Sequence, residues 1–198
     1  MDAMSKKEFG DWKSISTHNA GMMKSFTGLN AWRICRELGI AGALYDLGVY
    51  CVQAAIYTAG MNPVSVTATK STDRPDIFKE VPETYEWTLE FPGGRKAVGM
   101  SSYGRRGSHV RAEVEKGLIE IVPGYSYGGL KGTTPAGPMD FPQVNQQALQ
   151  IDGQVAAILA GTPSLVPGEM GSRDIQVIRG IVEAADTGKA VVFGKFPY

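Results

Sequence analysis

Several absences narrow the field before any pattern is read. Of 198 residues, only two are cysteine and two histidine. Cys35 and Cys51 form no CxxC and have no histidine near them, so neither a disulfide framework nor a zinc site is expected, and no metal is assigned. His18 and His109 stand far apart, and no GxSxG pattern supports a Ser-His-Asp triad. Neither sign of charge is in excess: 20 Lys+Arg balance 20 Asp+Glu. A neutral chain gives no electrostatic basis for nucleic acid or an anionic membrane surface as partner. Tyr, Asp and Gln interrupt the best apolar run, so a membrane span is not expected. The first nine residues lack the apolar core of a signal peptide. A cytoplasmic location is therefore favoured, although any export signal would precede Met1. No P-loop occurs, and no GxGxxG follows a strand and opens a helix. The nearest glycine clusters, Gly39–Gly42 and Gly124–Gly129, do not have that context.

What is present is enough apolar residue, 43%, to build the core of one domain. Residues 2–9 read as a short polar helical piece. Trp12 to Asn19, Val64 to Thr69 and Thr84 to Phe91 alternate with the period of a strand. Pro92-Gly93-Gly94 turns the last of these into a returning strand, Arg95 to Tyr103. Ser108 to Glu115 and Gly117 to Val122 form a further pair. Gly124 to Leu130 continues as strand or loop, and Lys131 to Pro142, rich in Gly, Pro and Thr, reads as a long surface loop. Val144, Ala148, Ile151, Val155 and Ile158 mark an amphipathic helix ending at Gly161. A second helix starts at an Ser172 N-cap and stops at Gly188. Ala190 to Phe193 is a short final strand or tail. The order predicts an α+β fold, an open-faced, mostly antiparallel sheet with helices on one face. Met100, Tyr103, Trp87 and Val98 put apolar residues on both sheet faces, which favours a covered face and a homo-oligomer.

The stretch from Gly42 to Tyr57 is the chemical centre of the sequence. It is mostly apolar, and Asp46, Tyr50, Gln53 and Tyr57 interrupt it at i, i+4, i+7 and i+11, one face of a helix. A carboxylate on such a helix belongs beside a cleft or a partner. Asp46 and Tyr50 together could relay a proton to or from a substrate hydroxyl. A phenol titrates near ~10 and Asp46 would raise it further, so a catalytic Tyr50 requires a cation from elsewhere. Spacing alone favours Tyr50 as a core aromatic with Asp46 as a local cap or hydrogen-bond partner. A glycosidase-like pairing of Asp46 with Glu37 or Glu120 is a weaker alternative.

The runs Ala31-Trp-Arg33, Arg36-Glu-Leu38 and Gly42-Ala-Leu-Tyr-Asp46-Leu-Gly-Val-Tyr50 resemble the core motif of the glucose–fructose oxidoreductase / inositol dehydrogenase / MocA family. Pro63 to Ala68, Glu83 to Pro92, Gly124 to Gly132, Val144 to Gln147 and Pro167 to Asp174 continue the likeness in order, from about residue 5 to 193. The resemblance implies the C-terminal, substrate-binding and oligomerising domain (residues 11–198) of an NAD(P)-dependent sugar or polyol oxidoreductase. Residues 1–10 would be the remnant of an interdomain helix. It implies a partner Rossmann domain that binds NAD(P) and contributes a lysine, so this chain alone would be inactive. By the same likeness Asp46 and Tyr50 are catalytic, Trp32, Arg33 and Tyr127 bind substrate, and Arg33 and Gly42 approach the cofactor. The family's glycine triplet is Ile40-Ala41-Gly42 here, and those added side chains would crowd a cofactor. A non-catalytic sugar-binding or assembly domain is the alternative.

Overall fold

A nine-stranded sheet, ordered β8-β7-β6-β5-β1-β4-β3-β2-β9, is the frame of the computed structural model, which describes residue 4 and residues 6–196. The strands are Trp12–Ala20 (β1), Ser65–Ser71 (β2), Thr84–Glu90 (β3), Lys96–Ser102 (β4), Gly107–Val114 (β5), Gly117–Ile121 (β6), Gly132–Thr134 (β7), Gly137–Met139 (β8) and Val191–Val192 (β9). β1 and β4 pair in parallel and the other neighbours pair antiparallel. The helices are Arg36–Gly39 (α1), Val49–Ala59 (α2), Gln146–Ala160 (α3) and Gly168–Thr187 (α4). The architecture is the α+β, open, mostly antiparallel sheet with helices on one face. Of the expected remnant at residues 1–10, residues 1–3 and 5 lie outside the described residues; Met4 is helical and Lys6–Phe9 forms a turn.

The core forms where α2 and α4 meet the central strands. Ile15, Leu89 and Ala97 from the sheet pack with Val52, Ile56, Val177, Ile178 and Ile181, all essentially buried. A register shift between Trp12 and Ser14 adds a residue to the strand, and this bulge turns Trp12 inward beside Ile15 despite simple alternation. Trp12 then meets Phe91 edge-on at 5.4 Å and donates to the Ala59 carbonyl at 3.3 Å. Gly99 is where β4 accommodates Trp87, whose indole would overlap any Cβ there. Gly60 and Gly188 end α2 and α4 in the left-handed region, as their positions in the sequence predict.

The stretch Arg36–Ala59 is long and apolar enough to cross a bilayer by length and composition, contrary to the expectation from its polar interruptions. It is not one straight helix. Ile40 breaks it at φ 54, and Cys51, Val52, Ala55, Ile56 and Ala59 pack inside the domain.

Two other expectations change, and one open reading closes. The Lys131–Pro142 loop contains the β7–β8 hairpin: the free edge of β6 pairs Glu120 with Thr133 and Ile121 with Gly132. Short pairing of this kind is invisible in a Gly- and Pro-rich composition. The last long helix begins at Gly168 after an extended Pro167, not at Ser172, because an extra turn buries Met170. Gly124–Leu130, left open between strand and loop, is loop; the Ser108 hydroxyl accepts from the Gly124 and Tyr125 amides.

The two sheet faces differ from the expected pattern too. Trp87 and Tyr103 lie on the helix side, so only Met100 and Val98 of the four apolar markers belong to the open face. That face is mainly polar. His18 and His109 sit opposite each other with ring centroids 4.3 Å apart, and His109 Nε2 is 2.9 Å from the Ser16 hydroxyl. Burial, then the His18 and Arg111 charges, depress His109 to about 4 against a weaker opposing pull from Glu120. The unfolded chain therefore binds the proton more readily than the native one. Stability should fall as pH drops from about 6.5 to about 4. Urea melts at stepped pH check this, and His109→Gln should flatten that part of the profile.

Candidate functional site

Asp46 lies in a π-helical turn, Leu44–Gly48, that leads directly into α2. Such wide turns recur at functional positions. Here Gly48 lets the turn sit against β4, since a Cβ would come 2.8 Å from Leu44 Cδ1 and 3.0 Å from Ser101 Oγ. Asn19 Nδ2, at the end of β1, donates to the Leu47 carbonyl at 3.2 Å and fixes the turn from the other side.

The Asp46 carboxylate is held by two donors on one oxygen. Arg33 Nε reaches Oδ2 at 2.9 Å and the Tyr103 hydroxyl reaches it at 2.8 Å. Arg33 is itself oriented: Nη1 donates to Asn30 Oδ1 at 2.7 Å, and its guanidinium stacks 4.5 Å from the Trp32 ring centroid. The Asp46 side chain retains 21% exposure, so charge-assisted bonds orient it without sealing it off. Burial, and then the bond to Asp46, push the Tyr103 phenol far above its ordinary value. Tyr103 thus stays a protonated donor and not a base.

Tyr103 is fixed by a second small core. Its ring packs with Phe26 and Phe78, at centroid distances of 5.5 and 6.3 Å. Arg74 binds the backbone of this cluster, donating to the Tyr103 carbonyl at 2.8 Å and the Met23 carbonyl at 2.7 Å. Its Nε donates to Glu83 Oε1 at 2.7 Å, while the Asp73 and Arg74 amides donate to Oε2 at 2.9 and 3.0 Å. Glu83 is only 1% exposed at the side chain.

The expected four-residue face divides. Tyr50, one turn after Asp46, is 54% exposed, with the Tyr125 ring 6.3 Å away. Gln53 instead accepts a 2.9 Å bond from Arg173 Nη2 on α4, and Arg173 Nε donates to Asp174 Oδ1 at 2.9 Å. Tyr57 lines a groove near Trp12 and Arg95. The face is one surface only at Asp46 and Tyr50, because α4 covers the middle of the helix.

Other sequence candidates fall in different places. Trp32 and Arg33 are half-buried beside Asp46. Tyr127 is exposed, and its carbonyl accepts from Gln146 Nε2 at 3.2 Å. Gly42 is buried at φ 54; a Cβ would meet Val81 Cγ2 at 3.0 Å and the Arg33 carbonyl at 3.3 Å. The chain's own packing therefore demands that glycine. Glu120 pairs with Arg111 on the open sheet face, on the other side of the sheet from Asp46, which removes it from the glycosidase-like pairing. Cys51 is buried and pushed up to about 12 by that burial, an inert thiol. Tyr103, Asn30 and the Arg74–Glu83 pair were not foreseen. Tyr103 stands 57 residues from Asp46, and no local spacing links them.

The family model for the GFO/IDH/MocA C-terminal domain matches residues 2–119. The chain belongs to the GFO/IDH/MocA family. An aldose-aldose oxidoreductase from Caulobacter crescentus, crystallised with glycerol, is 32% identical with a TM-score of 0.89; the match covers 97% of this chain and 58% of that one. D-xylose 1-dehydrogenase [NADP(+)] from Haloarcula marismortui is 27% identical over 169 residues, 81% of this chain and 46% of that protein. Myo-inositol 2-dehydrogenase from Lactobacillus plantarum shares the fold at 14% identity and a TM-score of 0.75, covering 98% of this chain and 60% of that one. The chain thus spans about half to three-fifths of the length of these oxidoreductases.

Because Glu83 is buried, its cation cannot be removed without exposing an unpaired charge to the interior. Arg74→Met should destabilise the domain by about 3 kcal/mol, read as a lowered urea midpoint. An unchanged midpoint would show that the pair fastens nothing.

Proposed function

We propose that this chain is the substrate-binding and oligomerising domain of a longer NAD(P)-dependent oxidoreductase that acts at a sugar or polyol hydroxyl or carbonyl. The observation that carries the reading is the Asp46 carboxylate, oriented by Arg33 and Tyr103, one turn before a solvent-open phenol. The sugar and inositol enzymes among the family relatives support the substrate class. The mainly polar open sheet face, interrupted by Met100 and Val98, is the surface through which two copies would join.

In this reading Tyr50 exchanges a proton with the substrate hydroxyl. In the oxidation direction Tyr50 Oη, as the phenolate, would take the substrate hydroxyl proton, and in reduction the phenol would return it. A nicotinamide, when bound, would supply the hydride acceptor or donor. Asp46 accepts a hydrogen bond from a neighbouring substrate hydroxyl, its own orientation set by the two donors on Oδ2. A phenol is a poor base near neutral pH, and Arg33 is already engaged by Asp46. The partner domain must bring the cation, as the lysine implied by the family resemblance would.

The fit to a nicotinamide is partial. Trp32 with Arg33 stacked upon it offers a planar, half-exposed wall beside Asp46, and these two would bound the ring. Gly42 does not fit that role, because it is enclosed by Val81 and the Arg33 carbonyl. One observation favours the alternative of a non-catalytic sugar-binding or assembly domain. Ile40, at φ 54 and 52% exposed, holds a branched side chain where glycine would leave space.

In a parent protein containing the nucleotide-binding domain, Tyr50→Phe should lower kcat by roughly 10²- to 10⁴-fold and leave KM for the sugar near its original value. Undiminished turnover would transfer support to the non-catalytic reading. Titration of the isolated chain with NADPH, followed by nucleotide fluorescence, should show no saturable tight complex. Tight binding would place the cofactor site in this domain after all.

A further inference from the structure

The helix α3 is packed only at its edges. None of its residues is buried, and Ile151, Val155, Ile158 and Leu159 lie along it with 63%, 48%, 67% and 83% exposure. The returning segment, tied by Ser164 Oγ to Gln154 Oε1 at 2.6 Å, adds exposed Leu165 and Val166. Ile151, Val155, Leu165 and Val166 border a groove of about 890 Å³ that Leu149 and Pro163 also line. Among its 15 residues Asp152 is the sole charge. The helix α4 shows what a water-facing side looks like in this protein: Glu169, Arg179, Glu183 and Asp186 are exposed there. A lone helix of this length, with Gly153 in its middle, is marginal in water without a packed face. The sequence is therefore that of a helix covered in use.

We propose that the apolar stripe of α3 and the Pro163–Val166 segment form the seat on which the nucleotide-binding α/β domain docks. The proposal rests on the function inferred above. Two observations select this occupant. The match covers 58% of the Caulobacter relative's chain and 46% of the Haloarcula protein's length, so both contain a further body outside the matched region. The seat also adjoins the candidate site. Gln146, at the start of α3, donates to the Ser126 and Tyr127 carbonyls, the loop whose Tyr125 neighbours Tyr50. A domain resting on α3 would thus stand over the exposed phenol that needs its cation. A second copy is less well matched, since a stable interface takes about 800 Å² from each partner. The wide open face of the sheet suits that purpose better than one helical stripe.

The test is a chimera in which this chain replaces the matching part of the Caulobacter enzyme, compared with this chain alone by hydrogen exchange. Amides of 146–160 should exchange roughly 100-fold more slowly in the chimera, and Ile151→Asp with Ile158→Asp should abolish that protection while the protection of β1–β4 persists. Tyr50→Phe should lose turnover yet keep α3 protected, which separates failure of docking from failure of the catalytic reading. Equal exchange of α3 in chimera and chain overturns the proposal. Protection in the chain alone that rises with concentration also overturns it, in favour of self-association.

Discussion

Glu83 has almost no access to water, and its carboxylate is satisfied by one guanidinium and two backbone amides. An isolated charge in such a place costs several kcal/mol, so the segment bearing Arg74 has little freedom to move away. The same guanidinium reaches the carbonyls of Met23 and Tyr103. It thereby draws the loop after β1, the loop after β2 and the end of β4 to one point. Gly104 completes the arrangement, because any Cβ there would overlap the Glu83 carboxylate. Phe26, Phe78 and Tyr103 close over the junction, and the Tyr103 hydroxyl emerges at Asp46. A buried electrostatic requirement is thus converted, through three aromatic rings, into the orientation of a partly exposed carboxylate.

The site that results separates two tasks. Tyr103 and Arg33 determine where Asp46 points, and burial keeps the Tyr103 phenol protonated. Tyr50 has the opposite character: its ring is open, with Tyr125 as an aromatic neighbour. In the reading proposed above, catalysis at such a pair calls on a positive charge from a second domain.

Much of the fold is legible along the chain because local rules decide it. Alternation fixes β1 to β6 to within a residue or two, and Gly60, Gly161 and Gly188 stop their helices in the left-handed region. The sheet face of Trp12 is not legible, since a bulge reverses it, nor is the β7–β8 hairpin, which the unpaired edge of β6 creates. At the site, Asp46 stands out as a carboxylate in an apolar run, and Trp32-Arg33 follow from the family likeness. Tyr103 does not, because its link to Asp46 is made through the sheet across 57 residues. Gln53 matched the helical spacing and still left the face, because Arg173 on another helix claimed it. The amphipathic pattern of α3 was readable, but a pattern states only that a face is to be covered. It does not state by what.

The π turn at Leu44–Gly48 has a consequence for how such a domain can diverge. A helix behaves as a screw, and a wider turn at its head acts as a phase adjuster between what lies before it and what lies after. The angular offset between Asp46 and Tyr50 is set there, while α2 below it stays locked to the sheet. Gain or loss of a single residue within this turn would re-aim the carboxylate by about a quarter of a revolution without repacking the core. Related chains could in this way acquire a different substrate geometry on an unaltered scaffold.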